Sequence, residues 1–386
     1  MNKHPVILGV ILLMASFMSF AKDQQAVSNA NVPPPVIEGK SWLLIDNDSG
    51  AVLSAGNPDM QIEPASLTKL MTAYIVFREL AEGRQNLNDM VFVSEKAWRM
   101  KGSRMFIKVN SRVKMEDLIK GMIIQSGNDA TVALAERIAG TEESFVAIMN
   151  EVATDLGMKD THFVNSSGMP DEGHLTTATD LAILTRALIK QYPEYYKYYS
   201  VKEFTWNKIT QGNRNLLLYR DPTVDGVKTG HTKSAGYSLI GSAEREGMRL
   251  IAIVTGTDSK LERAEMVQNL LNFGFRNYIT RKVYPAGKNI RNIDVYKAAS
   301  NTVFVESTDS IYLTVPRRGG TEIKQTVTVP AYVIAPVNRG QVLGDIEFSV
   351  QGTSLGKYPL TAVAEIPEGG IVDQMIGTVM LWVADF

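Results

Sequence analysis

A serine and a lysine stand three positions apart at the start of an apolar stretch, PASLTKLMTAYIVF, residues 64–77. Pro64 suits the first turn of a helix, and the apolar side chains after it recur at helical spacing. Residues at i and i+3 share one helix face, so Lys69 should lie over Ser66. A serine hydroxyl becomes nucleophilic when a base removes its proton. A buried lysine, its pKa lowered from about 10.4 toward neutrality, can be that base.

The same spacing recurs elsewhere and therefore carries little information alone. Ser111/Lys114 lies in a polar connection and Ser354/Lys357 lies in a turn, where a lysine would be solvated and protonated. Neither could activate a nucleophile, whereas the first pair precedes a buried helix face. The sequence therefore favours Ser66 as the nucleophile.

Two further polar groups have the right chemistry. Ser126 and Asn128, in IIQSGNDA, occupy a tight loop between helical patterns, where a hydroxyl could relay a proton and an amide could hold a substrate carbonyl. Lys228, Thr229 and Gly230 end a strand pattern in VDGVKTGHT. A second cation there would depress the pKa of the helix lysine and attract a substrate carboxylate.

S-x-x-K, S-x-N and K-T-G, in that order, form the set found in penicillin-binding proteins and related β-lactamases, and the last two elements each occur once in this chain. Over nearly its whole length the sequence closely resembles the low-molecular-mass penicillin-binding proteins that are serine-type D-alanyl-D-alanine carboxypeptidases. The resemblance implies that Ser66 attacks the bond between the two terminal D-alanines of peptidoglycan stem peptides. An acyl-enzyme would form and be hydrolysed, and β-lactams would acylate the same serine.

The resemblance also implies the roles of the other site residues. Lys69 becomes the general base, Ser126 and Asn128 the proton relay and substrate clamp, and the carboxylate-binding segment comprises Lys228, Thr229 and Gly230. The residues leave open whether Lys69 itself, or a water relayed through Ser126, takes the proton.

Two more positions follow from the same resemblance. The backbone N–H groups of Ser66 and His231 would form the oxyanion hole. Arg214, in GNRN, matches a family segment whose arginine helps to position the substrate carboxylate; a solvated loop arginine is the alternative. No Asp or Glu is recognisably placed to orient His231, so a Ser-His-Asp triad is not expected.

The elements that must position these residues are strands at both ends of a helical middle. Two short apolar runs flank the turn cluster at 47–50, helical patterns follow from residue 66 to about 191, and strand patterns return at 224–232 and 236–256 before a helix at 262–275. This order predicts an α+β fold with a β-lactamase/transpeptidase-like sheet packed against helices.

The chain divides into five predicted segments. Residues 1–21 read as a cleaved export signal, with an uncleaved anchor as the alternative, and residues 22–36 as a polar, proline-rich linker. The catalytic domain is placed at 37–282. An all-β module follows at 283–367, where the apolar period changes to two, and its sequence has no chemical signature.

Residues 368–386 are predicted to form an amphipathic, membrane-associating helix. It has no Lys or Arg, unlike the lysine-bearing helices of many family members, so electrostatic attraction to anionic lipid is not expected. Insertion of its apolar side chains into the membrane interface is still expected. A helix docked on the β module is the alternative. With the export signal, this predicts a periplasmic protein attached peripherally to the outer surface of the cytoplasmic membrane.

Composition excludes several other classes. Across 386 residues the formal net charge is −1, which gives no footprint for nucleic acid, and the absence of cysteine excludes thiol chemistry. Four histidines are too scattered for a metal site, so neither a metal nor a cofactor is expected. The expected partners are stem peptides, β-lactams and the membrane surface.

Three alternatives remain. A class A β-lactamase would need a loop glutamate to activate the deacylating water, and no convincing equivalent lies between the second and third motifs. A D,D-endopeptidase would use the same motifs and differ in cleft shape. A noncatalytic penicillin-binding envelope scaffold is disfavoured by intact Ser66, Lys69 and Lys228.

Overall fold

The structure is a computed structural model that describes residues 32–318, 322–350 and 352–384. The predicted export signal and most of the predicted linker lie outside these ranges. Residues 33–38 have no regular secondary structure.

Seventeen strands and ten helices form the regular structure of the described ranges. The strands are β1 (Ser41–Asp46), β2 (Val52–Gly56), β3 (Met90–Phe92), β4 (Arg112–Lys114), β5 (Glu203–Trp206), β6 (Ile209–Gly212), β7 (Val224–Thr232), β8 (Gly236–Arg245), β9 (Met248–Thr257), β10 (Tyr278–Tyr284), β11 (Asn289–Tyr296), β12 (Thr302–Glu306), β13 (Ile311–Pro316), β14 (Lys324–Thr328), β15 (Tyr332–Ile334), β16 (Val342–Val350) and β17 (Thr353–Ala362). The helices are α1 (Lys69–Ala81), α2 (Glu95–Trp98), α3 (Met115–Ile124), α4 (Asn128–Ala139), α5 (Glu142–Leu156), α6 (Ala178–Gln191), α7 (Pro193–Tyr196), α8 (Leu217–Arg220), α9 (Lys260–Asn277) and α10 (Ile371–Ala384), with 3-10 turns at Ala65–Thr68 and Lys197–Ser200.

The catalytic part is built on a five-stranded antiparallel sheet in the order β2-β1-β9-β8-β7. The N-terminal hairpin reaches its place by pairing β1 with β9, from Ser41 opposite Thr255 to Asp46 opposite Leu250. Strand β7, which carries the K-T-G motif, is an edge strand. One side of that motif is therefore open to the helices and to a substrate.

Alternating apolar residues bury both faces of this sheet. Leu43 and Ile45 of β1 belong to the core shared with α1 and α3–α6, whereas Leu44 belongs to the core under α9. Helix α9 approaches so closely that a Cβ on Gly241 of β8 would lie 2.5 Å from Val267 Cγ1. The predicted α+β class, a sheet between helical layers, is confirmed.

The short hairpin β5–β6 was not predicted from the sequence. The hairpin β5–β6 turns through Asn207 and Lys208, both with positive φ (49° and 64°), and its Gln211 side chain donates to the carbonyl of Arg104. Such brief strands bury little apolar surface, so their periodic signal is weak.

The all-β part contains the pair β10–β13 and a six-stranded sheet in the order β14-β16-β17-β12-β11-β15. Strand β10 crosses the predicted domain boundary at residue 283, and its first residue, Tyr278, packs into the α9 core. The Oγ1 of Thr280 donates to Asp46 Oδ2 at 2.6 Å and Ser49 Oγ lies 2.6 Å from Thr314 Oγ1. This buried polar network joins the β module to β1.

Helix α10 packs on the β module near Gly377 and carries most of its apolar residues outward. Gly377 is buried, and a Cβ there would lie 2.4 Å from the backbone nitrogen of Lys297. Exposed apolar side chains include Ile371, Val372, Met375, Ile376, Val379, Met380 and Trp382. No helix in the described ranges is long and apolar enough to cross a bilayer.

Candidate active site

The proposed nucleophile lies on a strained turn. Ser66 belongs to the 3-10 turn Ala65–Thr68, which runs directly into α1. The α-helix itself begins at Lys69, three residues after the predicted start at residue 66. The preceding Ala65 has φ +47°, a left-handed conformation that costs a non-glycine residue about 1–2 kcal/mol. Backbone strain of this kind persists only where surrounding contacts hold it.

The Lys69 amine is buried against three neutral partners. Its Nζ lies 3.1 Å from Ser66 Oγ, 2.7 Å from Asn128 Oδ1 and 2.5 Å from the carbonyl oxygen of Ser167. Burial, and next the positive charge of Arg214, lower the pKa of Lys69 to about 7. A substantial neutral fraction near pH 7 is what a general base requires.

The second serine and second lysine form a matching pair across the site. Lys228 Nζ donates to Ser126 Oγ at 3.0 Å and to the carbonyl of Thr229 at 3.1 Å. Ser126, in the α3–α4 loop, also has a left-handed backbone (φ +62°). Burial, followed by the charge of Lys69, holds the pKa of Lys228 well below its usual range.

Asn128 is the first residue of α4, and its amide orientation is fixed by its partners. Its Nδ2 donates to the carbonyl of Lys101 at 2.7 Å, which leaves Oδ1 facing Lys69. The next residue, Asp129, accepts from the backbone N–H groups of Met105 and Phe106. The α3–α4 loop is therefore tied to the segment around residues 101–106.

Strand β7 passes beside the nucleophile turn at Gly230. A Cβ there would lie 3.1 Å from the Pro64 carbonyl oxygen and 3.2 Å from Leu67 Cγ. Arg263 of α9, a buried residue that the sequence reading did not identify, donates to the carbonyl of Gly230 at 3.0 Å. The K-T-G segment is thus held from both sides of the sheet edge.

The two remaining predicted residues are exposed. His231 stacks on Tyr237, with ring centroids 4.0 Å apart. The side chain of Arg214 makes no hydrogen bond or salt bridge within the described ranges, and its charge acts on both Lys69 and Lys228. Its role in binding a carboxylate therefore stays a prediction.

The pairs Ser111/Lys114 and Ser354/Lys357 have a different environment. Lys114 forms a salt bridge with Glu116 at 2.9 Å, and Lys357 forms one with Asp345 at 3.1 Å. Ser111 Oγ donates to the carbonyl of Lys108 instead of to a lysine. Each of these amines pairs with a carboxylate and not with its serine, so neither pair is poised for chemistry.

The loop at residues 165–168 completes the site and was missed in the sequence. Asn165 Oδ1 accepts from the N–H groups of Ser167 and Gly168, which turns the Ser167 carbonyl toward Lys69. Glu142 of α5 accepts from both the N–H and the hydroxyl of Ser166. The Asn-Ser-Ser-Gly sequence is a recognisable turn signal, although it does not reveal what the turn faces.

A Ser–Lys pair facing a second Ser and Lys at a sheet edge is the arrangement of serine enzymes that form acyl intermediates. The family model for D-alanyl-D-alanine carboxypeptidases matches residues 27–259, and the model for the C-terminal domain of penicillin-binding protein 5 matches residues 278–368. The chain belongs to the D-alanyl-D-alanine carboxypeptidase family, which confirms the resemblance inferred from the motifs.

Individual relatives agree over nearly the full length. D-alanyl-D-alanine carboxypeptidase DacA of Haemophilus influenzae is 38% identical over 374 residues, covering 95% of this chain and 94% of that protein. DacC of Escherichia coli is 36% identical over 401 residues, covering 99% and 97%. The crystal structure of penicillin binding protein 5 from Haemophilus influenzae has 40% identity and a TM-score of 0.82, covering 87% of this chain and 100% of that one.

A structural relative includes a bound antibiotic. Penicillin-binding protein D2 from Listeria monocytogenes, in its ampicillin-bound form, is 31% identical with a TM-score of 0.58, covering 63% of this chain and 100% of that chain.

Proposed function

We propose that this chain removes the terminal D-alanine from peptidoglycan stem pentapeptides through an acyl-enzyme on Ser66. One observation carries the assignment of roles. Of the three partners of Lys69 Nζ, Asn128 Oδ1 and the Ser167 carbonyl can only accept hydrogen bonds. A neutral amine that donates to both directs its lone pair at the Ser66 hydroxyl, 3.1 Å away, and can take its proton.

Acylation then follows. Ser66 Oγ bonds to the carbonyl carbon of the penultimate D-alanine, Lys69 takes the hydroxyl proton, and the carbonyl oxygen becomes an oxyanion. We assign the backbone N–H groups of Ser66 and His231 to bind that oxyanion, because β7 lies beside the nucleophile turn at Gly230. The oxyanion then collapses and the C–N bond breaks. The departing amine of D-alanine receives, through the Ser126 hydroxyl, the proton that Lys69 took, which leaves Lys69 neutral again.

The substrate carboxylate has a cationic site. Lys228 and Thr229 lie on the open edge strand, and exposed Arg214 adds a second positive charge. Burial disfavours the charged form of Lys228, and a carboxylate bound beside it would favour that form. In the second half-reaction, water adds to the ester carbonyl carbon and Lys69 accepts a proton from that water. The ester C–O bond then breaks as Ser66 Oγ takes this proton from Lys69.

β-Lactams enter the same scheme as poor substrates. The ampicillin-bound relative supports their binding to this fold, and the amide of a strained lactam ring presents the same carbonyl to Ser66. Acylation by penicillin therefore reports on the first half-reaction alone.

The test is release of D-alanine from diacetyl-Lys-D-Ala-D-Ala by the protein without residues 1–21. Wild type and Ser111→Ala, which alters the exposed S-x-x-K serine, should release D-alanine and be labelled by a fluorescent penicillin. Ser66→Ala should do neither. Penicillin labelling without D-alanine release, together with cleavage of cross-linked muropeptides, would identify an endopeptidase instead.

We further propose that the protein is periplasmic and held on the outer surface of the cytoplasmic membrane by α10. The helix has 14 residues, about 21 Å, too short for a hydrocarbon core of about 30 Å, yet it exposes a row of apolar side chains including Trp382. Such a helix is suited to lie in the interface.

Vesicle sedimentation tests this attachment. The chain ending at residue 368 should stay in solution, whereas the chain retaining α10 should sediment equally with zwitterionic and anionic vesicles, because the helix has no Lys or Arg. Equal sedimentation of both chains would refute the anchor. Periplasmic location is tested separately by cell fractionation.

A further inference from the structure

His174 is a buried histidine that the proposed mechanism does not use. It is 2% exposed, and its Nε2 lies 2.8 Å from Thr68 Oγ1. Thr68 is the last residue of the nucleophile turn and is itself fully buried. The Thr68 hydroxyl donates to the carbonyl oxygen of Ala65 at 2.8 Å, immediately before Ser66.

The hydrogen bonds determine the tautomer of this imidazole. The backbone N–H of Val164 donates to His174 Nδ1 at 3.0 Å, so Nδ1 must carry a lone pair and the proton is on Nε2. Burial lowers the pKa of His174 to about 4, consistent with a neutral ring near pH 7. Nε2–H therefore donates to Thr68, whose single proton goes to Ala65. These hydrogen bonds run in one direction, from His174 through Thr68 to Ala65, and each donor has an acceptor.

The Ala65 carbonyl, which accepts the last of these hydrogen bonds, belongs to the peptide unit that carries the Ser66 N–H. A trans peptide is planar, with its C=O and N–H pointing in opposite directions. Fixing the Ala65 carbonyl toward Thr68 therefore fixes the direction of the Ser66 N–H, one of the two groups assigned to the oxyanion hole. The left-handed φ of Ala65 makes such a restraint necessary, since the turn would relax without it.

The same segment also holds the other end of the turn. Two backbone hydrogen bonds between Ile62 and Thr176, of 2.8 and 3.0 Å, lie four residues before Ser66. Residues 174–176 thus clamp the nucleophile turn on both sides, by main chain before Ser66 and by the imidazole after it.

We propose that His174 is a positioning residue that aims the Ser66 N–H into the oxyanion hole by donating from Nε2, through Thr68, to the Ala65 carbonyl. The proposal rests on the assignment of Ser66 as the nucleophile. It requires the Nε2–H donor specifically, and this separates it from a role in packing.

Four variants test it by their rate constants for acylation by a fluorescent penicillin. Thr68→Val removes the hydroxyl and keeps the side-chain shape. His174→Asn keeps an acceptor near the position of Nδ1 but loses the donor at the position of Nε2. His174→Gln restores a donor at the position of Nε2. The fourth variant combines Thr68→Val with His174→Asn. His162→Asn, which changes an exposed histidine of the same segment, is the matched control.

The expected result is a loss of about 100-fold in the acylation rate constant for Thr68→Val and His174→Asn, typical of a misplaced reacting group. The double variant should lose no more of the acylation rate constant than either single variant, because both substitutions break the same series of hydrogen bonds. His174→Gln should recover most of the rate, and His162→Asn should match wild type. Burst amplitude counts folded, active sites, so rates are compared per active site.

Two results would overturn the inference. Equal rates for His174→Asn and His174→Gln would show that the donor is irrelevant, and additive losses in the double variant would show that the two residues act independently. Failure of wild type to acylate would refute the function of Ser66 itself and is distinguishable from both.

Discussion

Gly168 offers a direct test of how closely the 165–168 loop must approach the nucleophile turn. Its φ is +84°, and a Cβ there would lie 1.7 Å from the Ala65 carbonyl oxygen and 2.3 Å from the carbonyl carbon. Gly157, at the end of α5, has nearly the same φ of +81° and open space around its Cβ position. The two alanine variants therefore share one backbone penalty and differ in the steric contact.

The magnitude follows from the distances. An alanine at a left-handed position costs about 1–2 kcal/mol, and Gly157→Ala should lose only that. Cβ atoms essentially never approach a neighbour closer than 3.0 Å, so in Gly168→Ala residue 168 and the Ala65 carbonyl oxygen must move apart by 3.0 − 1.7, or 1.3 Å. Because Ala65 and Ser66 share that peptide unit, a shift of this size should slow acylation by about 100-fold or more.

The assay is stopped-flow acylation by a fluorescent penicillin, with thermal unfolding of each variant to confirm that it is folded. Gly157→Ala should acylate like wild type despite a small loss of stability. Acylation of folded Gly168→Ala within about threefold of Gly157→Ala would refute the tight approach between this loop and the nucleophile turn.

Two further predictions use the charges around the site. Acylation at low penicillin concentration should rise with pH through a midpoint near 7, the pKa of Lys69, since only the neutral amine accepts a proton. Arg214→Gln removes a positive charge that lowers this pKa, so the midpoint should move upward. An unchanged midpoint would place Arg214 outside the field of Lys69. Glu142→Ala should lower the free energy of unfolding, measured in urea, by about 1–3 kcal/mol, because Ser166 loses the acceptor for its N–H and hydroxyl. Glu143→Ala, on the same helix turn but exposed, should leave the urea midpoint unchanged, and equal losses for the two variants would contradict the anchoring role of Glu142.

The three motifs, the order of the longer helices and strands, and the family are all predictable from residue types and their spacing. The S-x-x-K, S-x-N and K-T-G elements depend on side-chain type and local spacing, which a linear sequence records directly. Helices α1 and α3–α6 have strong apolar periodicity, and the same periodicity distinguished Ser66 from the serines of the two solvated pairs.

The groups that surround those motifs come from distant parts of the chain and could not be predicted from residue types. The carbonyl that accepts from Lys69 belongs to Ser167, 98 residues along the chain, and the imidazole behind the nucleophile turn lies 106 residues from Thr68. Every residue has a backbone carbonyl, so its role depends on where the chain returns in space and not on residue type. The left-handed Ala65 is equally invisible in sequence, because long-range contacts impose a conformation that alanine by itself disfavours.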